Sequence, residues 1–418
     1  MPARVRILAF VMAGGQGTRL QPLTAERSKP AVPFGARYRI VDFVLSNLIN
    51  SRIYSVYVLV QYKSQSLIEH IRKAWTLSPI QAEQFITVVP PQMLEGEEWF
   101  LGTADAVYQN INLIEEQHPD LVAVFGADHL YRMDLRQMVR FHQEHEAEVC
   151  VAALPVSLEQ APAFGIISVD EESRICEFQE KPASPAPMPG DATRAYASMG
   201  NYLFNADILV EALQESHRLG ETDFGHHILP RVIATRRCLA YNFADNRIPG
   251  IKAYEESAYW RDVGTIDAYY EANMDLLEEQ PRFNVFNPQW PIYSSNYQGP
   301  VAKISCGEIN NTMIGAATVV NGATIRNSII RREVVLEEGA QVEDCIIMDY
   351  VRICRGAHLR RVIVDRHNHI AADSRIGFNP DEDRKHYHVT PSGVVVIPQG
   401  RMSYFPRGAR TGGIGYEE

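Results

Sequence analysis

The chain has 418 residues, of which 46% are hydrophobic and 22% charged, and its formal net charge is −11. This length suits two or three domains, and the acidic balance argues against a nucleic-acid partner, which needs a basic surface. The six cysteines form no CxxC pair, so we expect reduced thiols and a cytoplasmic protein. The apolar run 7–13 is too short to span a membrane and leads into a glycine loop, so we interpret it as a buried strand and expect no membrane association.

Residues 1–279 alternate short β-branched runs with longer helical patterns, as expected of an α/β domain with a mostly parallel, Rossmann-like sheet. The predicted strands are 7–13, 56–60, 121–125 and 149–154, and the predicted helices are 42–50, 64–73, 104–116 and 135–145. Thr265 is a candidate N-cap for a further helix that ends near residue 279. The proline-rich segment 183–190 predicts a surface excursion, and the four prolines of 280–300 predict a linker between domains.

The C-terminal part, 301–418, has a different rhythm, in which apolar residues recur every six positions. Successive rows start 17 residues apart and are Met313–Val319–Ile325, Ile330–Leu336–Val342, Ile347–Ile353–Leu359 and Val364–Ile370–Ile376. A six-residue period with three repeats to a turn predicts a triangular parallel β-helix, which we take to be left-handed. The outer faces of such coils suit assembly or effector binding.

A glycine-rich loop follows the first predicted strand directly. Because glycines let backbone N–H groups approach phosphate oxygens, we expect nucleotide binding by Ala13, Gly14, Gly15, Gly17 and Thr18. The loop lacks the third glycine of the dinucleotide fingerprint and the GK[ST] of a P-loop. Arg19 and Lys29 follow closely, and both could reach a triphosphate and stabilise a departing pyrophosphate. The alternative for these two cations is a pair of solvated surface charges.

Several motifs follow one another along the chain: GGQGTRLQPLTAERSKPAVP from residue 14, GTADA from 102, GADHLY from 126, EKP from 180, ASMG from 197 and YWRDVGT from 259. Together they resemble the NDP-sugar pyrophosphorylases, and in particular the bacterial glucose-1-phosphate adenylyltransferases, over nearly the whole chain. The resemblance implies transfer of the adenylyl group of ATP to glucose 1-phosphate, giving ADP-glucose and pyrophosphate for glycogen or starch synthesis. It also implies a homotetramer under allosteric control by phosphorylated metabolites. A pyrophosphorylase of another sugar or nucleotide and a regulatory subunit without turnover remain as alternatives.

Two aspartates are candidate catalytic residues and Mg²⁺ ligands. Asp128 follows a buried strand, and ligands of open α/β sheets collect at the carboxyl ends of strands. Asp262 lies before a turn and a helix start and is a natural second ligand, since Mg²⁺ prefers carboxylates together with substrate phosphates. The family resemblance implies the same role for both. The alternatives are a cap or turn aspartate for Asp128 and, for Asp262, an ion pair with Arg261 or another base.

The sugar phosphate is expected to bind around Glu180 and Lys181. Lys181 could neutralise its phosphate, and Glu180 could accept hydrogen bonds from sugar hydroxyls; the alternative is an exposed charge pair. The resemblance adds Gly165, Ser198 and Phe100 to this site. Tyrosine is usual at the position of Phe100, so the stacking surface is retained here while a hydroxyl contact is lost.

The resemblance also assigns four residues to the nucleotide side of the site. Gln61 and Trp99 are similar to residues on two mobile loops of the family, and Gly102 and Thr103 belong to one of its motifs. For Trp99 a buried core aromatic is an equal alternative. No nucleophile elbow is present, and none is needed, because an anionic sugar phosphate can attack a phosphorus atom without a general base.

Effector binding is implied at basic residues between the two domains. Arg27 and Arg39 match two such positions, and Arg366 is a candidate contribution from the β-helix. The alternative for Arg27 and Arg39 is that they are only solvated or interface charges. Where the enterobacterial type has a lysine for fructose 1,6-bisphosphate, this chain has Glu26, and where that type has a histidine for AMP, it has Pro33. We therefore expect control by a phosphorylated metabolite of a different shape.

Overall fold

The protein is described by a computed structural model that covers residues 5–77, 84–92 and 99–400. Two compact units divide the chain between Gln298 and Gly299. Among the described helices, none combines the length and the apolar character that crossing a membrane would require. All six cysteines are free thiols, as the sequence predicted.

The first unit contains a mixed sheet with helices on both faces. Its strands are β1 (Ile7–Ala13), β2 (Pro33–Phe34), β3 (Tyr38–Arg39), β4 (Ser55–Val60), β5 (Phe85–Val89), β6 (Leu121–Gly126), β7 (His129–Tyr131), β8 (Val149–Ser157), β9 (Gly165–Val169), β10 (Ile175–Glu180), β11 (Arg194–Asn205), β12 (Cys238–Asn242) and β13 (Trp260–Asp262). Its helices are α1 (Val41–Asn50), α2 (Gln65–Ala74), α3 (Thr103–Tyr108), α4 (Ile111–Gln117), α5 (Leu135–Glu144), α6 (Ala206–Arg218), α7 (Leu229–Thr235) and α8 (Ile266–Met274).

The sheet has a parallel core with β1 at its centre. The order is β10-β9-β11-β6-β1-β4-β5, and β8 joins β11 to β12. Strand β1 runs parallel to β4 and β6, whereas the long β11 is antiparallel to β6, β8 and β9. The parallel strands therefore all point their carboxyl ends at one edge, where ligands of open α/β sheets bind.

Most predicted elements of this unit are confirmed. The predicted helix 104–116 is instead two helices, because Asn110 leaves the helical backbone at φ −120° and begins α4. Thr265 caps α8 as predicted, since its side chain accepts a hydrogen bond from the backbone N–H of Ala268.

The segment predicted as a linker, 280–300, lies against the first unit over most of its length. Its prolines prevent regular structure, but Phe283 and Trp290 are each only 2% exposed. The backbone N–H of Tyr293 donates to Ser46 Oγ on α1 at 2.8 Å. The boundary between the compact units consequently falls near the end of this segment rather than along it.

The second unit is a stack of short parallel strands, a left-handed parallel β-helix. Its elements are β14 (Lys303–Asn310), β15 (Met313–Ile314), β16 (Val319–Arg326), β17 (Ile329–Ile330), β18 (Val335–Leu336), β19 (Gln341–Glu343), β20 (Ile346–Ile347), β21 (Arg352–Ile353), β22 (His358–Arg360), β23 (Val362–Val364), β24 (His369–Ile370), β25 (Arg375–Ile376), α9 (Pro380–Asp383), β26 (His388–Val389) and β27 (Val395–Ile397).

The register of the coils follows the predicted rows, with one correction. Ile330, Ile347 and Val364 stack at 17-residue intervals and are fully buried. In the first coil the prediction is wrong by one residue: Ile314 pairs with Ile330, and Val320 with Leu336. The inward positions are thus 314 and 320, because Ile325 follows Val320 by five residues, whereas Val342 follows Leu336 by six in the next coil.

Candidate active site

One cavity of about 2010 Å³ lies at the carboxyl ends of the parallel strands of the first unit. Nearly all the predicted substrate, nucleotide and catalytic residues line it: Ala13, Gly14, Gly15, Gly17, Thr18, Arg19, Lys29, Gln61, Phe100, Gly102, Thr103, Asp128, Gly165, Glu180, Lys181, Ser198 and Asp262. Trp99 lies outside this lining and is 54% exposed, so the alternative of a core aromatic is wrong. Residues far apart in sequence therefore converge on a single cavity.

The glycine loop forms the wall of the cavity next to β1. Gly17 has φ +62°, and a Cβ at this position would approach Lys29 Cβ to 2.9 Å. Thr24 Oγ1 donates to the carbonyl of Gly17 at 2.8 Å and holds the loop against the segment that carries Lys29. A Cβ on Gly15 would meet no atom within 4 Å. The loop is thus packed on one side and open to a ligand at Gly15.

Lys29 lies between the two predicted metal-binding aspartates. Its Nζ is 3.0 Å from Asp128 Oδ2 and 2.9 Å from Asp262 Oδ1, and its side chain is only 8% exposed. Burial opposes the charged form, but the two carboxylates outweigh it and raise the pKa of Lys29. The alternative of a solvated surface charge is wrong for Lys29. Arg19, in contrast, is 71% exposed, with its guanidinium 4.0 Å from Asp262 Oδ2.

The pairing of β7 with β13 brings the two aspartates together. Asp262 pairs with His129, the residue after Asp128, and carboxylate and imidazole atoms of all three residues lie within 4.8 Å of one another. Burial tends to raise the pKa of Asp128, but His129 and Lys29 have the larger, opposite effect. The pKa of Asp128 is therefore lowered. The ion pair that the alternative predicted for Asp262 exists, but its partner is Lys29 rather than Arg261, which pairs with Glu256 and Asp275.

Glu180 and Lys181 lie at the end of β10, on the far side of the cavity. Lys181 Nζ is 3.0 Å from Glu180 Oε1, and the lysine side chain is 63% exposed. Lys181 has φ +47°, a left-handed conformation that costs a residue with a side chain free energy. Its backbone N–H donates to the carbonyl of Phe164 at 3.0 Å, which holds the turn. The charge pair of the alternative interpretation exists, but it forms part of the cavity wall.

Two backbone features shape the wall beside this pair. Glu180 pairs with Gly165, and a Cβ on Gly165 would lie 2.9 Å from Glu180 Oε2 and 2.6 Å from the Phe178 ring. Ser198 begins an irregularity in β11, where the pairing with β8 shifts register before Tyr202. Bulges of this kind redirect side chains next to binding sites.

Gln61 and Phe100 connect the predicted nucleotide and sugar sides. The Gln61 side chain accepts from the backbone N–H of Phe100 at 2.7 Å and donates to its carbonyl at 3.2 Å. In this structure Gln61 thus positions the backbone at Phe100. Thr103 Oγ1 donates to Asp223 Oδ2 and accepts from the N–H of Phe224, each at 3.0 Å.

The chain is similar to known proteins over almost its whole length. Residues 8–279 match the family model described as nucleotidyl transferase, and residues 301–397 match the GlmU-like C-terminal hexapeptide model. A glucose-1-phosphate adenylyltransferase of Thermodesulfovibrio yellowstonii is 54% identical over 94% of this chain and 96% of the relative. Proteins of the same name from Anaeromyxobacter sp. and Corynebacterium jeikeium are 46% and 45% identical, over 94% and 95% of this chain and 98% of each relative.

The chain belongs to the glucose-1-phosphate adenylyltransferase family. The resemblance inferred from the motifs is therefore confirmed, and with it the class of enzyme, a nucleotidyltransferase. The hexapeptide match accounts for the six-residue rhythm of the second unit.

Two residues of this nucleotidyltransferase site, His129 and Asp223, were not predicted as site residues from the sequence. His129 lies 3.6 Å from Asp128 Oδ1 and stacks on Trp260, with ring centroids 4.7 Å apart. Asp223 fastens Thr103 to the loop before α7. His129 stands in the GADHLY motif, which was a usable signal, whereas nothing near Asp223 in sequence points to a site 120 residues away.

The predicted effector residues lie outside the lining of the catalytic cavity. Arg27 is only 2% exposed, so a solvated charge is the wrong interpretation for this residue. Arg39 is half-buried, and its guanidinium donates to the carbonyl of Ser66 at 2.9 Å. In the second unit, Arg366 Nε donates to Gln399 Oε1 at 2.9 Å. Their role in effector binding stays a prediction.

Proposed function

We propose that this enzyme transfers the adenylyl group of ATP to α-D-glucose 1-phosphate, giving ADP-glucose and pyrophosphate for glycogen or starch synthesis. The observation that carries the proposal is the cluster in which Lys29 lies between Asp128 and Asp262 beside the glycine loop. The names of the relatives supply the substrates, since each is called a glucose-1-phosphate adenylyltransferase.

On the nucleotide side, the glycine loop, which is open at Gly15, receives the phosphates of ATP through backbone N–H groups. Arg19, largely exposed at the cavity mouth, neutralises the departing pyrophosphate. Lys29 is held as a cation beside the reacting phosphate by its two carboxylate partners.

The residues present fit a divalent cation, and we assign Mg²⁺ to Asp128 and Asp262. Each carboxylate directs one oxygen to Lys29, which leaves Asp128 Oδ1 and Asp262 Oδ2 with lone pairs for a cation. The depressed pKa of Asp128 keeps that ligand anionic at neutral pH. When bound, Mg²⁺ supplies charge neutralisation at the nucleotide phosphates.

On the sugar side, Lys181 binds the phosphate of glucose 1-phosphate, and Glu180 accepts hydrogen bonds from sugar hydroxyls. Gly165 allows the sugar to approach β9 closely, and Phe100 offers a ring face. A sugar-phosphate oxygen then attacks the α-phosphorus of ATP in line as pyrophosphate leaves. Because this oxygen is already anionic, the site needs to position groups and neutralise charge, without a general base.

The test is a pyrophosphate-release assay of the purified full-length chain with four nucleoside triphosphates against several sugar 1-phosphates. We expect ATP with glucose 1-phosphate to give the highest kcat/KM. A higher value for another pair would replace the proposed substrates within the same class. Absence of release from any pair would favour a regulatory subunit without turnover.

We further propose a cytoplasmic homotetramer regulated through Arg27, Arg39 and Arg366 by a phosphorylated metabolite. Glu26 would repel a bisphosphate and Pro33 has no N–H to donate, so fructose 1,6-bisphosphate should activate weakly at best. The measurement is the initial rate at subsaturating ATP against a panel of glycolytic phosphates, with light scattering for the assembly. Strong activation by micromolar fructose 1,6-bisphosphate would contradict the argument from Glu26.

A further inference from the structure

A second cavity, of about 1280 Å³, lies at the opposite edge of the sheet, where the parallel strands begin. Four arginines line it: Arg6, Arg52, Arg136 and Arg140. None of the described residues lining it is acidic. In a chain of net charge −11, such a local excess of positive charge is unexpected for a surface without a ligand. We call this cavity the arginine groove.

The positions of the four arginines on strands and on a helix bring them together in the groove. Arg6 directly precedes β1, and Arg52 lies just before the neighbouring strand β4, so both are at the amino end of adjacent strands. Arg136 and Arg140 are four residues apart on α5 and share one helix face. The backbone N–H of Leu135 donates to Ser51 Oγ at 2.9 Å, which ties the start of α5 to the turn that carries Arg52.

Of the four arginines in the groove, only Arg136 forms an ion pair with a described residue. Arg136 forms a two-point ion pair with Asp134, at 2.8 Å for both Nε and Nη2. Arg6 donates to the backbone carbonyl of Gln117, which carries no charge. No hydrogen bond, ion pair or ring contact joins the side chain of Arg52 or Arg140 to another described residue.

The backbone at Arg52 provides independent support. The residue has φ +64° in the turn that ends α1, where its N–H donates to the carbonyl of Ile49. Glycine is the preferred residue at such a position, because a side chain there is strained. An arginine that bears this strain while its guanidinium forms no hydrogen bond or ion pair with another described residue is a local departure of the kind expected at functional sites.

We propose that the arginine groove binds a phosphorylated small molecule with at least two negative charges, at a site separate from the catalytic cavity. Guanidinium groups recognise phosphate oxygens through paired N–H donors. The volume exceeds that of a single phosphate and suits a ligand of nucleotide or sugar-phosphate size. Tyr54 and Gln143, also in the lining, offer a ring and an amide for the remainder of the ligand.

The test uses tripolyphosphate as the probe and hydrogen–deuterium exchange of the full-length chain, without added metal, as the readout. We expect protection in peptides covering 51–55 and 135–144, in addition to any protection of the glycine loop. Arg52→Gly removes the guanidinium and relieves the strained turn, so this variant should fold at least as stably as the wild type. Arg140→Gln is the second variant, and Arg218→Gln, an exposed arginine on α6, is the matched control.

Both groove variants should weaken the protection of 51–55 and 135–144 by at least about tenfold in probe concentration, and leave the glycine loop unaffected. Three outcomes would overturn the proposal. The first is that tripolyphosphate does not protect the groove peptides. The second is that the control variant Arg218→Gln weakens their protection as much as the groove variants do. The third is that light scattering shows that the groove variants change the oligomeric state, which would make the groove an interface between copies of this chain.

Discussion

Replacing Asp128 by asparagine tests the charged centre directly, because the shape is kept and the negative charge is lost. The carboxylate lies 3.0 Å from the cationic Lys29 Nζ. Coulomb's law at this separation gives about 5.5 kcal/mol for an effective dielectric of about 20 and about 1.4 kcal/mol in water. The side chain is 41% exposed, so about 2–4 kcal/mol is a realistic range between these limits.

A divalent cation carries twice the charge of Lys29, so its attraction to Asp128 would be about 4–8 kcal/mol on the same reasoning. At 1.36 kcal/mol for each factor of ten, the lower limit corresponds to about 10³-fold. We therefore expect Asp128→Asn to lower kcat/KM for pyrophosphate release by about 10³-fold or more with Mg²⁺ in excess. Because the pKa of Asp128 is depressed, the wild-type carboxylate is ionised throughout pH 6–9, and the ratio of variant to wild type should be flat there.

The matched control is Asp170→Asn, in an exposed turn outside the cavity. Its carboxylate accepts hydrogen bonds from the backbone N–H groups of Glu172 and Arg174, which an asparagine side chain can also accept. This control should retain wild-type activity. A well-folded Asp128→Asn enzyme within about threefold of wild type would refute the assignment of the metal ligand.

Three further predictions concern other parts of the first unit. Lys181→Ala should raise the KM for glucose 1-phosphate by about 10- to 150-fold, the value of a charge-assisted phosphate contact; a change in the KM for ATP instead would assign the lysine to the other substrate. Gly17→Ala should lower kcat and the melting temperature, because its Cβ would lie 2.9 Å from Lys29 Cβ at φ +62°; unchanged kinetics would contradict the packing argument. Asp42, fully buried, is 2.6 Å from His70 Nε2. Burial raises the pKa of Asp42, but His70 and the hydrogen bonds from Ser294 and the backbone of Arg39 together lower it more. Asp42→Asn should therefore cost about 3–5 kcal/mol of unfolding free energy at pH 7. That difference should diminish as the pH falls below about 4 towards the lowered pKa, and an equal difference at pH 7 and pH 3.5 in urea unfolding would show that the charge is not responsible.

The sequence predicted the elements whose signals are local and repeated. The strand 121–125 is a continuous apolar run, and the coils of the β-helix repeat a six-residue period through several turns. Both predictions are confirmed because each depends only on residues that are close together in the chain. The helix 104–116 was predicted as one element, since its apolar pattern continues across Asn110 while the backbone does not. The first coil was misplaced by one residue, because Met313–Ile314 and Val319–Val320 each offer two adjacent apolar side chains for one inward position.

The residues of the catalytic cavity could be predicted from the sequence where they belong to motifs with charged residues or glycines. They could be predicted less well where their role depends on contacts between positions far apart in the chain. Lys29 and Asp128 were found as separate candidates, but their ion pair joins positions 99 residues apart and could not be read from either motif. Asp223 gave no sequence signal, because its function is to hold Thr103, which lies in another part of the chain. Arg27 was predicted as an effector residue with a solvated or interface charge as the alternative, and only the packing around it shows that it is buried.

The balance of charges in the cluster explains why the fold places Lys29 where it does. Two aspartates whose oxygens lie within 4.8 Å of each other would repel strongly in a partly buried site, and the nearly buried Lys29 offsets that repulsion. With Arg19 at the mouth, the two negative charges meet two positive charges before any ligand binds. An incoming triphosphate adds several negative charges to this neutral centre, so its binding requires additional cations. The proposed binding of the nucleotide together with a divalent cation would meet this requirement, and the two carboxylates, which the pairing of β7 with β13 holds in place, raise the pKa of Lys29 in the ligand-free protein.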